Sequence, residues 1–337
     1  ALGSAAAIGT LGTISFGGGT LQFAAGNTTD YSARFSTAAS QAISLDTNGQ
    51  AVTLATGLTS TGGSLTKLGT GTLTLTGTNT FNGGTTITTG VLAVGDGGTT
   101  GTLAGAVVDN AVLQVNRSDA VALAGNISGS GSLTKVGAGT LTLDGTNTYG
   151  GGTNINGGVV ALGTAAAIGS AGTVSFGGGT LQFGANNNTD YSTRFSAAAG
   201  QAIRLDTNGR DVALAGNLTS VGGTLTKSGA GTLTVSGTNT YDGGTSLNGG
   251  TLALGSAAAI GTLGTISFGG GTLQFGTNNN TDYSTRFSAA IDQDISLDTN
   301  GRDVALVGNL TSVGGTLSKS GAGRSEERRV GKECATL

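Results

Sequence analysis

The 337-residue chain carries 15 Lys and Arg against 18 Asp and Glu, a net charge of −3, which is too sparse and of the wrong sign for a nucleic-acid surface. With no histidine, it lacks the usual general base and any Ser-His-Asp or Cys-His arrangement. No apolar run approaches the roughly 18 residues that span a bilayer, and a chain without proline and with 10% charged residues lacks the composition of disorder.

The first segment, LGSAAAIGTLGTISFGGGTLQF at 2–23, opens with a run, SAAAIG, that predicts a single helical turn stopped by its glycine. Ile14 and Phe16 then alternate with Thr13 and Ser15, and Leu21 and Phe23 flank Gln22. A period of two marks strands with one buried face. NTTDYSARFS at 27–36 reads as a further strand, with Tyr31 and Phe35 on one face and Arg34 on the other, where it pairs with a turn carboxylate. Ile43 and Leu45 lead into LDTNGQ, whose Asn-Gly predicts a tight turn before Val52 and Leu54.

LTKLGTGTLTLTGTNTFNGGTTITTG follows at 65–90, with Leu73 and Leu75 in one strand and Leu92 and Val94 in the next. This passage returns at 133–158 and 225–250, and the opening segment returns at 162–183 and, letter for letter, at 254–275. The repeats divide the chain into units 2–93, 94–161, 162–253 and 254–323. The short second unit lacks the DYS-x-RF stretch and falls short of its neighbours by the length of one layer. Four layers in 92 residues and three in 68 both give about 23 residues per layer, so whole layers are gained or lost, as in a solenoid whose layers contact only their neighbours. The strands are too short for an isolated sheet. Coiled, they pair with counterparts about 4.8 Å above and below. The expected fold is therefore an all-β, right-handed parallel β-helix of about 14 rungs. Leucines fill the interior, threonines line the outside, and glycines supply turns with positive φ. Asn79, Asn147 and Asn239 share the place TNT[FY]. They are expected to stack and bond one another along the axis, capping backbone groups that the turn leaves free, with Phe81, Tyr149 and Tyr241 packed beside the turn.

The pattern stops at Gly323. RSEERRVGKECATL, 324–337, holds every Glu and the only Cys, and we expect it to be a foreign or disordered tail beyond a single continuous solenoid over 1–323. The chain opens in mid-pattern, which reads as a piece of something longer whose terminal rungs expose unpaired strand edges.

At LTK-x-GAGTLTL-x-GTNTY-x-GGT, complete at 64–95, 132–163 and 224–255 and begun again at Thr316, the chain resembles the autotransporter-associated β-strand repeat of Gram-negative passenger domains. The segments with AAAIG, GGGTLQF and DYS-x-RFS also resemble passages found between such repeats, so the likeness covers nearly all of 2–323. The resemblance implies type V secretion to the cell surface through the protein's own C-terminal outer-membrane β-barrel. It also implies a passenger whose repeat part serves as a stalk.

Several motifs invite a chemical reading. Asp30, Tyr31 and Arg34, repeated as Asp190, Tyr191 and Arg194 and as Asp282, Tyr283 and Arg286, suggest a polysaccharide-binding or lyase-like site, since paired Asp serves glycosidic chemistry without histidine. Active sites are not ordinarily copied three times in one chain, so we expect a structural role. LDTNG at Asp46, Asp206 and Asp298 echoes a calcium loop but has no Glu at its end. GDGGTTG at 95–101 has no Walker lysine. The sequons at Asn126 and Asn217 are expected by chance, and NGRD at 208–211 and 300–303 reads as turn chemistry. We expect no catalytic residue, metal or cofactor. The function expected is a non-enzymatic stalk that spaces or presents adhesive regions. The alternatives are an adhesin surface for glycans or other passengers and, after that, a polysaccharide-active β-helix.

Overall fold

The computed structural model describes residues 1–327. Period-two runs become strands of two to six residues, paired in parallel with strands of neighbouring turns. The fold is an all-β parallel β-solenoid of about 14 turns, with about 21 residues per turn and almost no helix. It divides into two compact units, Ala1–Ser175 and Phe176–Leu337.

In the first unit one face stacks Gly17–Gln22, Ala42–Asp46, Ser64–Leu68, Thr85–Ile87, Val107–Asp109 and Ile127–Ser128 in that order. A second face stacks Ala51–Leu54, Thr72–Leu75, Val91–Val94, Val112–Val115, Ser132–Lys135 and Thr153–Ile155. Val121–Leu123, Thr140–Leu143 and Val159–Leu162 form a third. In the second unit Thr180–Phe183, Ala202–Asp206, Thr224–Ser228, Thr245–Leu247 and Ile266–Phe268 share one face. Val212–Leu214, Thr232–Val235, Thr251–Leu254, Thr272–Phe275, Ile295–Asp298 and Leu317–Ser320 share the next. The interior columns are leucine, valine, isoleucine and phenylalanine, almost all fully buried, and outward threonines and serines stay partly exposed.

The uniform layer expected from sequence is corrected by the pairing. Leu73 pairs with Leu92 but Leu21 with Leu45, so turns differ in length from place to place and most are shorter than the estimate. Leu65 lies on the first face of its unit, yet its repeat counterpart Leu133 lies on the second, above Leu73, Leu92 and Leu113. The short repeat thus spans three turns and one additional face. Leu225 and its counterpart Leu317 also lie on different faces, the latter on the column face of Leu233, Leu252, Leu273 and Leu297. The long repeat spans four turns and one face. The fractional step shortens each turn, while the difference between the repeats remains one whole turn, the long one from Leu273 to Leu297.

Two local expectations also change. The AAAIG run forms only turns, closed by Ala7 N–H to Ser4 O and Gly9 N–H to Ala6 O. DYS-x-RF is not a strand: Ser32–Arg34, Ser192–Arg194 and Ser284–Arg286 are 3₁₀ turns. At the C-terminal side, Ser325–Glu327 pairs in parallel with Val304–Leu306, and 328–337 lie outside the described residues.

Candidate functional site

Asp30 begins its 3₁₀ turn by accepting the Ser32 N–H on Oδ1 at 2.8 Å, a local side-chain bond that competes with extended structure. Its Oδ2 accepts the Ala55 N–H of the following turn at 2.8 Å. Asp190 and Asp282 do the same with Ala215 and Val307. Tyr31, Tyr191 and Tyr283 are buried, each beside a phenylalanine of the GGGTLQF strand. Their hydroxyls meet Asn27, Asn187 and Asn279. Arg34 does not pair with a carboxylate. It donates to the carbonyls of Ile8, Gly9, Leu11 and Gly12 at 2.8–3.1 Å, fixing the preceding loop. Arg286 likewise holds Leu263 and Gly264 and lies 5.8 Å from the Tyr283 ring. The three residue types are brought together, but the Asp30 carboxylate and the Arg34 guanidinium are turned on backbone groups and the tyrosine hydroxyls on buried asparagines.

The LDTNG corner resolves in the same way. Asn48 and Gly49 both have positive φ, 46° and 81°, the two-residue turn that Asn-Gly favours. Asp46 accepts the Asn48 N–H and the Gln22 side-chain amide, and Asp206 and Asp298 repeat both contacts. The carboxylates are occupied, and among the described residues no group of three His, Cys, Asp or Glu is arranged to hold a metal. The sequon side chains of Asn126 and Asn217 accept backbone N–H groups of the next turn.

The buried asparagines are axial staples, though not by bonding one another. Asn79 accepts the Leu58 N–H of the turn before at 2.8 Å and donates to Thr102 O of the turn after at 2.8 Å. Asn147 links Ile127 and Ala167, and Asn239 links Leu218 and Ala259. The spacing between turns places backbone, not a second asparagine, within reach of each amide.

Sequence reasoning missed the lysines. Lys67, Lys135 and Lys227 are 0% exposed. Each is the third residue of LTK, so period two places it inward beside the buried leucine, a parity visible in the sequence. Lys67 Nζ donates to Leu68 O, Gly69 O and Thr89 O at 2.7–3.2 Å, joining the corners of two turns. Lys227 repeats this with Ser228, Gly229 and Gly249, and Lys135 donates to Gly137 O. Burial lowers each ammonium to about 8, an effect opposed at Lys67 by Asp46 and at Lys227 by Asp206. Arg117 and Asp119 form an ion pair 2.8 Å apart.

Three segments, 65–94, 133–162 and 225–254, match the family model of the passenger-associated-transport-repeat. No curated protein and no solved structure matches the chain.

Proposed function

We propose that the chain, an autotransporter passenger segment by its repeats, acts as a rigid, non-enzymatic stalk that spaces or presents adhesive regions. One observation carries the reading. Groups that look chemical are engaged in bonds between successive turns: the Asp30 carboxylate, the Arg34 guanidinium, the Asn79 amide and the Lys67 ammonium. The repeat family implies export to the cell surface and an outer-membrane translocator as partner. No helix of the described residues is long and apolar enough to cross a membrane.

The adhesin alternative would use the outward threonine and serine rows. These rows partly satisfy themselves, as between Thr20 and Ser44 at 2.9 Å and Thr272 and Ser296 at 3.0 Å. All five tyrosines are buried, and no tryptophan is present, so neither residue type offers a sugar ring a platform on the described faces. The test is the purified chain on a panel of acidic and neutral polysaccharides, with binding, turnover and self-association measured together. A stalk gives none of the three. Turnover lost in Asp190→Asn establishes the enzyme reading, and saturable glycan binding, or concentration-dependent self-association that survives capping of the terminal edges, establishes the adhesin.

A further inference from the structure

Asp109 is wholly buried in the shortest repeat, and its Oδ2 has no hydrogen-bond partner. Oδ1 accepts the Ala111 N–H at 3.0 Å. Its place in the fold explains why a carboxylate stands there. Asp109 stacks on Ile87 as Phe268 stacks on Leu247, the same position of another repeat. Phe268 packs edge-to-face on Phe287 at 5.2 Å, and Phe287 belongs to the long turn that the short repeat lacks. Without that turn a phenylalanine has no ring partner, and an aspartate that caps its own corner takes its place.

No acid or base faces Asp109. The turn below offers Thr85 and Ile87, and the turn above offers Ile127, Gly129 and Gly131. Gly131 sits so close that a methyl group there would collide with Asp109 Oδ1. On the adjoining face the inward residues are Leu113 and Val115. The charge in the same interior column is Lys67, two strand spacings away across Ile87, roughly 10 Å, with its ammonium on three carbonyls. Arg117 is engaged with Asp119 and Gly101, and Lys135 with Gly137.

We propose that the turn around Asp109 is an acid-tightened joint of the solenoid, where local opening that hydrates the carboxylate is favoured at neutral pH and suppressed on acidification. Burial raises the carboxyl from 3.8 to about 6, against the opposing pull of the Ala111 and Leu113 amides. Between those values the closed turn holds a proton that the opened turn releases. Stability from this group is therefore full below about pH 4 and lost as pH rises through about 6. The paired aspartates elsewhere, such as Asp30 and Asp46, accept two donors each on their two carboxylate oxygens, which sets Asp109, with one oxygen unpartnered, apart from them.

Hydrogen exchange on the whole chain, corrected for intrinsic rates and read from pH 4.5 to 7.5, tests the joint. Protection of peptides within 103–131 is expected to fall roughly tenfold per pH unit up to about 6 and then level off, while peptides within 225–254 lack that slope. Asp109→Asn, and separately Asp109→Phe, should flatten the slope. A slope in 103–131 that persists in either variant, that is absent from the wild type, or that all peptides share overturns the proposal.

Discussion

Tyr149 Oη and Thr153 Oγ1 lie 2.7 Å apart in the core of the first unit, and Tyr241 and Thr245 repeat the contact at 2.7 Å in the second. The first copy of the repeat has Phe81 in the tyrosine's place and keeps Thr85, whose buried hydroxyl is left without a partner. A one-atom difference between copies thus strands a polar group. Restoring the hydroxyl with Phe81→Tyr should stabilise the protein by about 1 kcal/mol, the net worth of a buried hydrogen bond. Tyr241→Phe should cost about 1–3 kcal/mol by stranding Thr245. Urea midpoints of the two variants, moving in opposite directions, check the pair.

The caged lysines give alkaline pH a stabilising effect. Each ammonium titrates near 8 in the folded protein and near 10.5 when free. The folded state thus prefers the neutral amine, and the penalty for carrying charge inside is complete below about 8. It is relieved as pH rises towards 10.5. Stability should therefore increase between pH 8 and 9.5. Lys67→Met with Lys227→Met should reduce that rise to the share of Lys135, as followed by urea midpoints across the window. An equal rise in the double variant refutes the assignment.

How much was legible in the sequence depends on whether one residue or several decide an outcome. The Leu73–Thr74–Leu75 alternation and the Asn48–Gly49 turn were readable because period and φ preference act locally. The 3₁₀ turn at Ser32–Arg34 was not, because Tyr31 and Phe35 keep strand parity while the Asp30 carboxylate bends the chain through the Ser32 N–H. Lys67 shares the inward parity of Leu65, but its charge hides it until the carbonyls that surround it are placed. The step of one face per repeat could not be seen in repeat lengths. It requires knowing that Leu133 rests over Leu113, not over the column of its own counterpart Leu65.

The asparagine staples predict a sharper loss than surface polar residues give. Asn147→Ala would leave the Ile127 N–H and Ala167 O buried without partners. At about 1–3 kcal/mol for each stranded group, the variant should lose several kcal/mol. Asn147→Asp should also destabilise at neutral pH, since it keeps the acceptor for Ile127 but brings a charge inside and loses the donor to Ala167. Chemical unfolding gives the totals, and hydrogen exchange at Ile127 should report the broken staple directly, with faster exchange in the alanine variant only.

The modular turn makes the last prediction a matter of one residue. Leu181 pairs with Leu205, so removing 181–204 deletes a whole turn and seats Leu205 where Leu181 was. The product should fold with unchanged β content, losing the Phe176–Phe195 edge contact at 5.0 Å, worth about 0.5–1.5 kcal/mol. Removing 181–203 instead, which matches the uniform layer expected from repeat lengths, places Arg204 inward and Leu205 outward. A slip of one residue reverses every side chain of the strand, so this shorter deletion should misfold or aggregate. Size-exclusion chromatography and circular dichroism of the two proteins separate the outcomes. Equal behaviour of both deletions would mean that the inward column of leucines does not set the register.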